Sequence, residues 1–287
     1  MKLLLRLLLI TLLAIGGTVA YMVSNEASYI YFPERGMVQS PRSAGLPFSV
    51  QRFKTPDGVE LYGWYLPQRQ ARFVLLSLHG NGGNISGRIK QYRRWHDMGL
   101  SVFAFDYRGF GDSTGEPSEA GLYTDALTAW KLLTGKYDIP PERIIIAGRS
   151  LGSSVAARLA GEVNPAALAL EVPFTSIPDM SSEQYPWLPL HWFVKSRFDT
   201  LEALGKVEVP LLLISAKQDE LIPGWMAGKL FEAYEGTKLR GTLDGGHNDF
   251  DSVSEGAYEK LWNIWLDSLA GPEPEKLQWV KLDAPNA

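Results

Sequence analysis

Ile144-Ile145-Ile146-Ala147-Gly148-Arg149-Ser150-Leu151-Gly152-Ser153-Ser154-Val155-Ala156-Ala157 is the stretch that decides the fold, because its character changes at a single residue. Up to Ala147 it is a short unbroken apolar run, the pattern of a strand covered on both faces. Beyond Ser150 small and apolar residues continue to Leu159 at helical spacing. Between the two halves lies Gly148-x-Ser150-x-Gly152. A serine at a tight junction of strand and helix needs small residues two positions to either side, since the backbone is strained there and neighbouring elements approach closely. Such a turn lifts the Ser150 hydroxyl out of the sheet and sets it at a helix N-terminus, where free N–H groups and the helix dipole favour a developing negative charge.

The same alternation extends outward. Apolar runs at 73–78, 101–105, 143–147, 167–170, 210–215 and 238–243 read as strands, and 122–133, 155–159 and 258–269 carry apolar residues at helical spacing. Strands separated by helices predict a mostly parallel sheet with helices on both faces. Ahead of them, 47–53 and 59–67 flank Pro56-Asp57-Gly58, a turn signal that predicts an antiparallel hairpin and brings the sheet to about eight strands.

With the sheet and the Gly148-x-Ser150-x-Gly152 elbow in place, the chain resembles the α/β-hydrolase superfamily from about residue 47 to 269. His79-Gly80-Asn81-Gly82-Gly83-Asn84 after the 73–78 run and Asp106-Tyr107-Arg108-Gly109-Phe110-Gly111-Asp112-Ser113 after the 101–105 run match two further family segments. The resemblance implies an oxyanion hole made by the main-chain N–H groups of Asn81 and Leu151. Its physical basis is that glycines let an amide approach a tetrahedral oxyanion unobstructed. A Gly/Asn turn holding no ligand is the plainer reading of that loop.

A serine needs a base, and the base needs an orienting group. Of the four histidines, His79 sits in the glycine loop, His96 on a predicted helix and His191 between two strands. His247, in Gly245-Gly246-His247-Asn248, lies after the last strand, where the family delivers its base in the order Ser, acid, His. For the acid, Asp219 in Asp219-Glu220-Leu221-Ile222-Pro223 matches the family loop with an aspartate ahead of an Ile-Pro pair, whereas Glu220 is expected to point elsewhere and Asp244 and Asp249 read as loop polar or capping residues. The resemblance thus implies Ser150, Asp219 and His247 as a catalytic triad. Serine at the elbow argues against the dehalogenase and epoxide-hydrolase branches, which use aspartate there.

Residues 175–204 form a short cap in this reading. Within it Trp187, Leu188, Leu190, His191 and Trp192 are candidates to line an acyl pocket or a membrane-facing mouth, with simple packing onto the sheet as the alternative.

Residues 1–23 carry only two charges, Lys2 and Arg6. From Leu7 to Val23 the apolar stretch would make a helix of about 25 Å, or about 31 Å if Arg6 snorkels, enough to span a bilayer. Thr18-Val19-Ala20 offers small residues for a signal peptidase, but apolarity continues past Ala20, which favours an uncleaved anchor. Lys2 and Arg6 precede the span and Glu26 and Glu34 follow it, so the N-terminus is expected in the cytoplasm and the enzyme on the far side, or secreted or periplasmic if the segment is cleaved. Residues 24–45 read as a stalk, 46–270 as one domain and 271–287 as a frayed tail.

Composition narrows the chemistry. The absence of cysteine removes disulfides, thiolate metal sites and a cysteine nucleophile. With 28 Lys and Arg against 32 Asp and Glu there is no basic field for nucleic acid. No HExxH-like cluster appears, so neither metal nor cofactor is called for. The expectation is a monomeric serine hydrolase of carboxylic esters or thioesters, similar to single-span membrane-anchored α/β-hydrolase-domain proteins, acting on a small acyl substrate. A serine aminopeptidase, or a non-catalytic binder of a lipid or partner on the same fold, are the alternatives.

Overall fold

In the computed structural model, which describes residues 1–269, the apolar runs assemble into a single eight-stranded sheet. Its strands are β1 (Ser49–Lys54), β2 (Glu60–Leu66), β3 (Val74–Leu78), β4 (Ser101–Asp106), β5 (Ile144–Arg149), β6 (Ala167–Glu171), β7 (Leu211–Ala216) and β8 (Lys238–Leu243). The spatial order is β8-β7-β6-β5-β3-β4-β2-β1. The β1–β2 hairpin and the β2–β4 pair are antiparallel, and every other pair in this sheet is parallel. Strands β3, β4, β6 and β7 are buried at every position, which is why they read as continuous apolar runs.

The helices are α1 (Lys2–Ser24), α2 (Ala27–Ile30), α3 (Ile89–Asp97), α4 (Glu119–Lys131), α5 (Leu151–Val163), α6 (Ile177–Gln184), α7 (Thr200–Leu204), α8 (Gly224–Ala233), α9 (Phe250–Val253) and α10 (Glu255–Ser268). One face of the sheet is covered by α4, α5, α7 and α8 through residues such as Leu122, Val155, Leu204 and Met226. The other is covered by α3 and α10 through Tyr92, Trp95, Tyr258 and Trp262. The chain leaves β3 for β4 on one side and then crosses to β5 on the other. A crevice opens at such a reversal, beyond the C-terminal ends of the strands, and it receives the loop after β3 and the elbow after β5.

Two sequence expectations change. Arg143 does not begin β5; it ends a short 3₁₀ turn, Pro141–Arg143. More consequentially, residues 24–45 do not stand off as a stalk. Phe32 and Pro33 pair in parallel with Gly82 and Gly83 of the glycine loop, the Arg35 guanidinium donates to the Ser113 carbonyl at 2.6 Å, and Asn84 donates to the Glu34 and Gly36 carbonyls. The stretch is a strap lashed across the mouth of the domain by bonds that each use a main-chain group of one partner or both, which no side-chain periodicity announces. Helix α1, which contains an 18-residue window with a mean hydropathy of 2.2, is long and apolar enough to cross a membrane. The tail expected at 271–287 lies outside the described residues.

Candidate active site

The elbow is strained where the sequence requires it. Ser150 adopts φ 54° and ψ −119°, a conformation that costs a non-glycine residue about 1–3 kcal/mol unless its surroundings impose it. They do. A Cβ on Gly148 would come within 2.2 Å of the Gly152 carbonyl, and one on Gly152 within 2.1 Å of the Leu78 carbonyl, so α5 is drawn against β3 as only glycine permits. Ser150 N–H donates to the Glu171 carbonyl at 2.9 Å, and the Ser153 hydroxyl reaches the Gly148 and Glu171 carbonyls. Behind the elbow the buried Glu171 carboxylate accepts from Gln91, Tyr258 and Trp262. Burial pushes the Glu171 carboxyl above its usual range. Sequence reasoning missed this brace, although a lone acid ending the apolar run Ala167–Glu171 was a signal.

His247 is held from three directions. Its Nδ1 lies 2.9 Å from Asp219 Oδ2 and 3.1 Å from Oδ1. Its main-chain N–H donates to Glu220 Oε2 at 3.0 Å, and its carbonyl accepts from Arg149 Nη2 at 3.1 Å. Glu220 thus engages the main chain of His247, while Asp219 engages its ring, and it fixes the backbone that carries the imidazole. Burial alone would raise the Asp219 carboxyl. The His247 hydrogen bond and the N–H groups of Ile222 and Leu221 outweigh it and hold the group below the usual carboxylate range.

The other histidines serve elsewhere. His79 is buried, with Nδ1 2.7 Å from the Gly80 carbonyl and its ring 4.4 Å from that of Tyr107. Burial and the nearby Arg88 push it down to about 3, so it is neutral. His96 Nε2 lies 3.1 Å from the Pro67 carbonyl, and His191 rests against Trp192 in the cap.

Ser150, Leu151, His247 and Asn81 border a single cavity of about 360 Å³. Asn81 is steadied by the strap, because its carbonyl accepts from Phe32 N–H at 2.8 Å and its side chain donates to the Ile30 carbonyl at 3.0 Å. The arrangement presents a serine at a helix N-terminus and an imidazole whose Nδ1 is occupied by a carboxylate, with Asn81 and Leu151 bordering the same cavity. Those are the parts needed for nucleophilic attack on a carbonyl.

The cap expectations are corrected in part. Of the five candidates only Leu190 borders the cavity. Leu188 is buried against Val19 of α1, Trp187 and Trp192 are 69% and 74% exposed, and His191 packs on Trp192 without reaching the cavity. Walls the sequence reading did not assign come from Met22, Val23, Glu26, Tyr29, Ile30 and Phe32, and from Ile177 and Met180 of α6. In α1 the contacting face is hidden because the helix is apolar all round, so no stripe stands out.

Comparison with known proteins agrees with this architecture. Residues 69–203 match the family model described as serine aminopeptidase, S33. The chain is 38% identical over 246 residues to an uncharacterized protein of Mycobacterium tuberculosis, covering 84% of this chain and 86% of that one. It is 32% identical over 230 residues to the α/β hydrolase domain-containing protein WAV2 of Arabidopsis thaliana, covering 71% and 74%. To the lysophosphatidylserine lipase ABHD12 of Danio rerio it is 34% identical, covering 74% of this chain and 62% of the lipase. Among solved structures, an esterase of Pyrococcus furiosus superposes with a TM-score of 0.69 at 19% identity, covering 84% of this chain and 97% of that one. The elbow, the sheet order and these relatives together place the chain in the α/β-hydrolase superfamily, to which it belongs.

Proposed function

We propose that the protein is a membrane-anchored serine hydrolase that cleaves acyl esters through an acyl-Ser150 intermediate. The observation that carries the reading is the meeting of Ser150, strained at its elbow, with the Asp219-bound His247 on one largely apolar cavity. With Nδ1–H donated to Asp219, His247 Nε2 is free to take the Ser150 proton as Oγ attacks the carbonyl carbon. The N–H groups of Asn81 and Leu151 receive the oxyanion. Collapse of the tetrahedral intermediate breaks the bond to the leaving oxygen, which takes the proton from His247. A water then repeats the sequence on the acyl-serine, releasing the carboxylic acid and restoring Ser150. Neither metal nor cofactor enters these steps.

An apolar cavity beside a helix able to cross the bilayer favours an acyl lipid as substrate, in keeping with the lipase named among the relatives. Val19 supports an uncleaved anchor: it is buried under Leu188 and Leu190, and cleavage after Ala20 would strip it from the cap. The charges flanking the span favour a cytoplasmic N-terminus with the enzyme on the opposite side.

The family model's description favours a second reading, cleavage of aminoacyl amides. Against it, the cavity wall is largely apolar, and its one carboxylate among the described residues, Glu26, already accepts from the N–H groups of Lys195 and Ser196, which offset part of the charge a substrate ammonium would seek. Turnover of p-nitrophenyl esters against aminoacyl p-nitroanilides decides. Faster cleavage of esters is expected, and a preference for the anilides over every ester would overturn the assignment.

A further inference from the structure

We propose that the last turn of the membrane helix is the acyl-selecting wall of the cavity, so that anchor and catalytic domain form one site. The proposal rests on the serine-hydrolase reading above and adds to it the part of the chain that chooses the acyl chain.

One face of α1 carries the contacts. Ile15, Val19, Met22 and Val23 are the helix residues withdrawn from the surface, and Glu26 follows them one turn on. Their spacing is that of a single helical stripe. Val19 is closed under Leu188 and Leu190 of the cap, while Met22, Val23 and Glu26 border the same cavity as Ser150 and His247.

This wall is fixed at both of its edges. On the cap side, Glu26 accepts from Lys195 N–H at 2.9 Å and from Ser196 N–H at 2.7 Å. On the catalytic side, the strap that follows α1 is paired to the loop carrying Asn81 through Phe32 and Gly82 and through Asn81 to the Ile30 carbonyl. The position of Val23 relative to Ser150 is therefore set by short structured segments and not by a loose tether.

The chemistry of the wall suits a hydrocarbon chain. Met22 and Val23 are apolar, as are Met180 and Leu190 on the cap's side of the cavity. At roughly 30 Å³ per packed group of about one water's size, the cavity holds on the order of a dozen carbons. Val19 lies about 7 Å from the end of α1, which sets the cap at the boundary of the span. Trp187, Trp192 and Phe193 are exposed on that same cap, as residues at a bilayer interface are. A chain leaving the bilayer there would meet the wall before the nucleophile.

The test uses the full chain in dodecyl maltoside micelles with p-nitrophenyl esters from acetate to palmitate. Val23→Trp narrows the cavity and is expected to lower the dodecanoate-to-acetate ratio of kcat/KM at least tenfold. Val23→Ala widens it and is expected to move the optimum at least two carbons longer. Tyr21→Trp, on the exposed face of the same helix, is expected to keep the wild-type profile within twofold. Fluorophosphonate labelling at Ser150 is followed in each variant. If Val23→Trp does not fold, Val23→Ala decides alone. Labelled variants with a wild-type chain-length profile would overturn the wall, whereas labelling that does not depend on Ser150 would overturn the hydrolase reading beneath it.

Discussion

Replacing Ser150 by glycine should make the protein more stable than replacing it by alanine, the reverse of the usual order. In the interior of a helix or strand glycine is worse than alanine by about 0.5–1 kcal/mol, because it loses more backbone freedom on folding. At Ser150 the backbone sits at φ 54° and ψ −119°, which costs any residue with a Cβ about 1–3 kcal/mol and costs glycine little. Subtracting the first effect from the second leaves Ser150→Gly ahead of Ser150→Ala by about 1 kcal/mol. Both variants lose the hydroxyl, so its contacts cancel. For a domain of this size that difference is about 2–4 °C in Tm, readable by thermal unfolding of the detergent-solubilised protein. Asn263, on the exposed side of α10, is the control: Asn263→Gly should melt below Asn263→Ala. If Ser150→Gly also melts below Ser150→Ala, the elbow is not strained and the close packing of Gly148 and Gly152 does not serve to impose it.

Other consequences follow from the site and its supports. Asp219→Asn deprives His247 Nδ1–H of its acceptor and favours the wrong tautomer; kcat is expected to fall about 10³–10⁴-fold with KM little changed, measured on a short ester. Gly152→Ala forces a Cβ against the Leu78 carbonyl and should cost about 3 kcal/mol or more, seen as a drop in Tm; an unchanged melting curve would mean the approach of α5 to β3 is looser than described. Asp106, buried beneath the loop at Gly111, is pushed up to about 7 from the 3.8 of an exposed group. Its folded pKa exceeds its unfolded one, so the stability linked to its proton is complete below pH 3.8 and is lost as pH rises through about 7. Asp106→Asn is expected to flatten stability between those limits and to gain over wild type at pH 8; parallel pH profiles for the two proteins would contradict this.

The parts of the fold that buried side chains dictate could be read directly. Ile144, Ile145 and Ile146 are apolar because β5 is covered on both faces, and Gly148 and Gly152 are glycines because backbone oxygens lie where a Cβ would be. The pairing of His247 with Asp219 was reachable from chain order on a recognisable architecture, and the structure brings the two together. The strap was not legible, since Phe32 docks to Asn81 through main-chain groups that every residue possesses. Nor was the stripe Val19, Met22 and Val23, because one apolar face among others gives no contrast. Trp187 and Trp192 misled for a related reason: an aromatic residue has the same letter whether it fills a pocket or faces outward, and only its neighbours decide.

Fluorophosphonate labelling with intact-mass readout tests the central claim most directly. Wild-type protein is expected to gain one adduct, mapped to Ser150, and Ser150→Ala none. Equal labelling of the two proteins would contradict the assignment of Ser150 as the nucleophile.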